Sequence, residues 1–291
     1  MLRAVRLISD AGLADIKALI VNAALPAVLF VAFLGIEFES RYLGLFILMP
    51  VVLFGLLALG YLLGRLPGWP APAPFLMTGF EFGMLGISLF GTAYGMDQVG
   101  VISVVGLPHE LFIWFVFVTL IRLRYGQTGS ALDTLRSFGT SPIILAILAG
   151  TVLNIAGAAP WLLATAPTAA IISGLEMLGG IVGPLILIVI GYGTRLNPRG
   201  VIEAAPLVVV RMLVVLTVGL TVVPAVVEGL LDLPRIFTHA VVTFMILPPP
   251  FIVPLYVPQE RKADQAYSNN VLSLATVASI VAFLVYVTVT A

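Results

Sequence analysis

Three consecutive prolines stand in the middle of an apolar run, Phe244-Met245-Ile246-Leu247-Pro248-Pro249-Pro250-Phe251-Ile252-Val253-Pro254-Leu255-Tyr256. A regular helix cannot pass through them, because three amide donors are missing and each ring clashes with a preceding carbonyl. In lipid, every carbonyl so released would cost several kcal/mol. Irregular backbone at that depth therefore has to be buried in protein or line a polar cavity. Discontinuous helices of this kind build the solute sites of many secondary transporters.

The surroundings of that run are those of a membrane. Of 291 residues, 60% are hydrophobic and only 10% charged, and the mean hydropathy is +1.16. Soluble domains carry about 25% charged residues. The expected fold class is an all-α polytopic membrane protein, with the lipid bilayer as its first partner. Net charge is zero, so no nucleic-acid partner is expected. The chain has no cysteine, so disulfides, thiolate catalysis and Cys-ligated metals are excluded. With only His109 and His239, a histidine metal site is not expected, and no cofactor is. The first residues hold Arg3 and Arg6 but no apolar core followed by a small-residue cleavage site, so no removable signal peptide is expected.

Nine apolar segments can be drawn, at about 17–36, 43–64, 74–94, 99–122, 141–159, 171–193, 204–227, 237–257 and 268–289. With the N-terminus inside, cytoplasmic segments hold Arg3, Arg6, Lys17, Arg65, Arg122, Arg124, Arg136, Arg195, Arg199, Arg261 and Lys262. The other side holds Arg41 and Arg235. This positive-inside bias predicts nine spans in a cell (inner) membrane, with the C-terminus extracytoplasmic. Arg122 and Arg124 read as topology anchors.

The first and sixth segments each carry one proline, Pro26 and Pro184, and two segments later each meets an interrupted one. The spacing is 62 residues from Pro26 to Ser88 and 70 from Pro184 to Pro254. An odd number of spans separates the halves, which predicts an inverted repeat. The expected organisation is a short cytoplasmic segment (1–16), a first repeat of four spans (17–122), a cytoplasmic linker (123–140) and a second repeat of five spans (141–291). The fifth span has no partner in this four-plus-five arrangement.

Several of these segments resemble the auxin efflux carrier family, within the bile/arsenite/riboflavin transporter superfamily. Leu247-Pro248 followed by Ile252-Val253-Pro254 resembles the family's second crossover, and residues 79–90 resemble the first. Glu110 and Trp114 sit like the Gln and Trp of the next helix. Ser141-Pro142-Ile143-Ile144 through Gly150 and Asn154 resembles the helix with the NP, Gly and Asn pattern. Gly183-Pro184 through Arg195-Leu196 resembles a further family segment. The likeness runs from about residue 7 to 290 and omits the family's usual first helix, as in a bacterial-type member. It implies crossed broken helices that hold the substrate, elevator-like alternating access and a homodimer. Two departures, Glu81 at the family's crossover Asn and Ser88 at its crossover Pro, point away from auxin as the substrate.

Individual residues carry the functional expectations. Glu81 lies about 10 Å into its span at 1.5 Å per residue, where a carboxylate must be protonated, paired or wet. It reads either as a proton or cation coupling site or as a structural partner of Arg211. His109 and Glu110 follow Pro108 and read as a proton relay or as a local hydrogen-bonded unit across a proline-broken turn. Being adjacent on a helix, they point about 100° apart. Arg211 reads either as a bidentate partner of a substrate carboxylate or as a side chain snorkelling to the headgroups. Glu176 lies near the outer face. Asn22, Asn154, Asn269 and Asn270 are neutral polar groups suited to interhelical bonds, and Asn22 and Asn269 also to a ligand. Gly86, Pro248 and Pro254 are placed at the crossing. A half-helix beginning after Pro250 would offer amides to an organic anion.

The expected function is secondary transport of a small organic anion, a carboxylate, coupled to H+ or Na+. The expected substrate site comprises Glu81, Gly86, Ser88, Pro248, Pro254, Asn22 and Asn269, with coupling through Glu81, Glu110 and His109. A sodium symporter of the bile-acid type is the alternative within transport. A membrane receptor or intramembrane enzyme is the alternative from another class. No nucleotide-binding loop appears, and no nucleophile–base pair stands out, so no catalytic residue is assigned.

Overall fold

The computed structural model describes residues 9–35, 40–126, 139–182, 184–185, 188, 198–258 and 260–290. Among them the regular structure is all helical, with no strand. In chain order the helices are α1 (Asp10–Leu19), α2 (Ile20–Gly35), α3 (Ser40–Leu63), α4 (Ala73–Met77), α5 (Ile87–Tyr94), α6 (Met96–Arg124), α7 (Pro142–Ile155), α8 (Ala159–Ala164), α9 (Ala166–Gly180), α10 (Pro198–Leu230), α11 (Arg235–Ile246), α12 (Val253–Tyr256) and α13 (Lys262–Thr290). Four of them, α3, α6, α10 and α13, are long and apolar enough to cross a membrane. Three shorter apolar helices, α2, α7 and α11, add to that character. The protein is thus an all-α chain built for a bilayer. The expected motif at Gly183 and Arg195-Leu196 and most of the 123–140 linker lie outside the described residues.

Two compact units divide the chain. The first holds α1, α2, α5, the start of α6, α7, α8 and α9. Its centre is α2, which α7 and α9 approach at glycines. A Cβ on Gly150 would stand 2.6 Å from Phe30 O, and one on Gly179 2.5 Å from Val28 Cγ2. Small residues at such points let backbones close up where lipid supplies no hydrophobic drive between helices. Asn154 completes the seam, donating from Nδ2 to Leu34 O at 2.6 Å near the end of α2.

The second unit holds α3, α4, the rest of α6 and α10 to α13. The short α4 is buried along its whole length. A Cβ on Gly60 of α3 would sit 2.7 Å from Pro74 Cα, so α3 lies directly on α4. Helices α10 and α13 pack along each other, with Gly200 against the Asn270 side chain. Among the described residues, this unit holds two places where the main chain leaves helical geometry at buried depth.

Candidate functional site

The first break follows α4. Thr78 is extended, with φ −107° and ψ 151°, and its hydroxyl donates back to Pro74 O at 2.9 Å. Gly79 then adopts φ +74°. A Cβ there would stand 2.8 Å from both Ile113 Cδ1 and Pro250 Cγ. Conformation and space together demand glycine. A π-helical turn, Phe82–Gly86, leads on into α5. The interruption is thus confined to residues 78–81, narrower than the expected 79–90.

The second break follows α11. Leu247, with φ −59° and ψ 150°, has the extended geometry that a following proline imposes. Helical structure resumes only at Val253, as the single turn of α12.

The two breaks are bonded to each other. Glu81 N–H donates to Pro248 O at 2.9 Å. Glu81 Oε2 accepts from Phe251 N–H at 2.7 Å. One residue thus holds the triproline segment at both ends, with its amide on one side and its carboxylate on the other.

Arg211 of α10 supplies the remaining donors. Its Nη1 donates to Met77 O, and its Nη2 to Gly79 O at 2.7 Å and Leu247 O at 3.1 Å. The side chain is 0% exposed and its guanidinium lies over the Phe80 ring at 5.0 Å. Broken helices ending in prolines have surplus carbonyls and few amides, and arginine has five donors and no acceptor. Three charge-assisted bonds of about 1.5–3 kcal/mol each offset the several kcal/mol of burying the ion. Among the described residues no carboxylate lies within ion-pair distance of Arg211. The snorkelling expectation therefore fails, because the head group is enclosed. The expectation of bidentate substrate contact meets a guanidinium whose Nη atoms are already engaged.

His109 closes the first break from α6. Phe80 N–H donates to His109 Nε2 at 3.0 Å, so Nε2 is unprotonated. Nδ1 faces Glu110 Oε1 at 3.2 Å, and Glu110 Oε2 accepts from Trp114 Nε1 at 3.2 Å. The ring is 1% exposed and the Glu110 side chain 14%. Of the two sequence readings for this pair, the local hydrogen-bonded unit is the geometry observed, and it extends into the break. Phe244 walls the same region, stacked on Phe82 at 5.2 Å and edge-on to Phe80 at 5.7 Å and to His109 at 4.9 Å. Gly106 makes room for Phe82, whose ring would stand 2.4 Å from a Cβ there.

Beyond the second break, Arg122 lies 5.4 Å over the Tyr256 ring, tying α12 to the end of α6. Gln265 Nε2 caps Val257 O at 3.0 Å. Nearby, Arg261 covers the Tyr125 ring at 5.9 Å. Burial pushes the Tyr125 phenol up to about 12, with Asp264 adding to the shift and Arg261 and Arg124 opposing it.

Of the expected site residues, the structure brings together Glu81, Pro248, His109 and Glu110. Pro254 stands in the first turn of α12, next to the second break. Gly86 lies in the turn before α5, and Ser88 is buried in α5 of the first unit. Asn22 is in the first unit, exposed, donating to Ala18 O at 2.9 Å. Asn269 is on an exposed face of α13, and Glu176 is exposed on α9. A cavity of about 400 Å³ in the second unit lies away from the breaks, lined in part by Trp69, Glu203, Asp264 and Tyr267.

Three features are not legible in the sequence: the clamping role of Arg211, the Glu81 carboxylate on the Phe251 amide, and the Phe244 wall. One signal pointed to the first. An arginine in a span, facing a break rich in carbonyls, has a set of acceptors waiting for it. Comparison with protein-family models and with curated proteins returns no match for this chain.

Proposed function

We propose that this protein is a secondary transporter of small organic anions carrying a carboxylate, with its solute site at the two bonded breaks. The observation behind this reading is the Glu81 bridge to Pro248 O and Phe251 N–H within otherwise apolar helices. A chain built only to cross a bilayer would run through it as continuous helices, since each break requires dedicated donors and acceptors to be tolerated. Discontinuous segments that expose main-chain polar groups are how many carriers grip a solute.

An anion is favoured because Arg211 places a fixed positive charge behind both breaks. The Phe251 amide already holds a carboxylate, which is the chemistry a substrate would present. On this reading the protein is a bacterial-type member of the auxin efflux carrier family, with nine spans, an inverted repeat and elevator-like alternating access. Glu81 is the coupling residue, and the His109–Glu110 pair stabilises the first break.

The test is uptake by purified protein in liposomes of radiolabelled acetate, malonate and benzoate, with proton and sodium gradients imposed separately. Uptake of one of them driven by a proton gradient supports the proposal. Strict dependence on sodium at constant pH would transfer the chain to the bile-acid-type symporters. Binding without flux would make it a receptor.

A further inference from the structure

We infer that Glu81 is a built-in occupant of the substrate's carboxylate position, and that a substrate reaches the Phe251 amide by displacing it as Glu81 takes up a proton. This inference rests on the reading of the chain as a carboxylate transporter.

Pro248, Pro249 and Pro250 have no N–H, and Leu247 N–H is already bonded to Phe244 O. Phe251 N–H is therefore the first donor that the second break offers. Glu81 Oε2 lies 2.7 Å from it, the length of a charge-assisted bond. The Glu81 main chain cannot leave, because its own amide is fixed on Pro248 O. Its side chain is only partly buried and can turn away while the backbone stays.

Charge decides what must accompany that turn. A second carboxylate arriving beside an ionised Glu81 would put two anions on one amide. Protonated, Glu81 loses its charge and becomes a donor itself. One proton from solvent joins Glu81 as one substrate carboxylate binds, and the net charge of the site is unchanged. The fixed cation of Arg211 then faces a single anion in both states. Of the other titratable groups on elements around the breaks, His109 and Glu110 on α6 and Tyr256 on α12 stand beside them, while His239 of α11 pairs with Tyr286, Glu203 of α10 with Arg199, and Tyr61 of α3 packs on Phe75. His109 Nε2 is committed to Phe80 N–H, Glu110 to Trp114 and His109, and Tyr256 lies under Arg122. None of them touches the Phe251 amide.

The sequence provides a direct probe. Only Pro74-Phe75 and Pro250-Phe251 are proline–phenylalanine pairs. Protein labelled with carbonyl-¹³C proline and ¹⁵N phenylalanine therefore gives two selected amide signals, Phe251 at the second break and Phe75 inside α4 as the control. Benzoate serves as the ligand between about pH 6 and about pH 8, where a simple carboxylic acid is fully ionised. The expected result is a benzoate-dependent shift of the Phe251 signal with Phe75 unmoved. Linkage of one proton to one anion weakens the affinity about tenfold per pH unit wherever Glu81 is ionised in the unliganded protein. In Glu81→Gln that slope disappears. Should this variant not fold, the slope in the wild-type protein carries the same information. A Phe251 signal that ignores benzoate, or an affinity flat across pH in the wild-type protein, overturns the inference if benzoate uptake persists, and leaves the transport reading intact. Absence of both binding and uptake for acetate, malonate and benzoate overturns the transport reading, and this inference with it.

Discussion

Arg211 Nη2 donates to Gly79 O at 2.7 Å, joining residues 132 positions apart in the chain, and the same nitrogen reaches Leu247 O. The main-chain carbonyls of both breaks thus converge on one side chain of a third helix. That convergence explains how non-helical backbone survives at buried depth. Each orphaned carbonyl would otherwise cost about 1–3 kcal/mol.

Replacement of Arg211 is the direct check. Lysine keeps the charge but concentrates its donors on one nitrogen, with no planar fork to span three carbonyls. Arg211→Lys should therefore lower the thermal midpoint of the detergent-solubilised protein by several degrees, and Arg211→Met by more. Retention of the wild-type midpoint by Arg211→Met would mean that the guanidinium does not hold the two breaks.

Gly79 gives a sharper, local test. With φ +74° and two neighbours 2.8 Å from its missing Cβ, Gly79→Ala should be strongly destabilising and should abolish uptake. Gly83→Ala, four residues on, meets only Leu25 Cδ1 at 3.7 Å and should be tolerated. Comparable behaviour of the two variants in a thermal-unfolding assay would contradict the geometry of the first break.

His109 acts as an acceptor, and its substitutions separate that role from its bulk. His109→Phe fills the pocket but leaves Phe80 N–H without its partner, a loss of about 1–3 kcal/mol. His109→Gln keeps an acceptor and should recover part of that loss. Equal stabilities, measured by denaturant or thermal unfolding, would mean that the bond to Phe80 contributes nothing.

The sequence reading reached these breaks unevenly. Pro248-Pro249-Pro250 marks its own interruption, because missing amides are a covalent fact. A broken helix is expected within 79–90, and the break falls at 78–81, followed by a π-helical turn over Phe82–Gly86 that carries Gly83 and Gly86 into α5. Helical structure begins at Asp10, ahead of the apolar segment drawn from residue 17, because hydropathy follows the thickness of a bilayer and not where hydrogen bonding begins. Arg211 was legible as a costly residue but not as a clamp. Its acceptors come from two segments distant in sequence, which periodicity cannot bring together. Likewise, the amides expected to await an anion after Pro250 were identified, but the carboxylate already on Phe251 comes from Glu81, 170 positions away.

Helix packing in the first unit makes a separate prediction about glycines that hydropathy treats alike. Gly150→Ala drives a methyl to 2.6 Å from Phe30 O, a backbone atom that cannot rotate aside. Nothing lies within 4 Å of the same position on Gly180, where alanine also gains helix propensity of about 1 kcal/mol. Gly150→Ala should lower the thermal midpoint and Gly180→Ala should hold or raise it.

Tyr125 lies beyond the last residue of α6, with a buried hydroxyl that has no hydrogen-bond partner among the described residues. Its phenol is raised from 10.0 to about 12 chiefly by burial. A group whose folded value is raised stabilises fully below its unfolded value and loses that contribution as pH climbs through the folded one. The window is therefore pH 10.0 to about 12. Tyr125→Phe keeps the ring under Arg261, removes an unsatisfied hydroxyl and removes this titration. The variant should match or exceed wild-type stability at neutral pH. It should also lose less than the wild type between those limits, and thermal unfolding across the alkaline range measures both. An identical alkaline decline in the two proteins would place the titrating group elsewhere, because phenylalanine has no proton to give up.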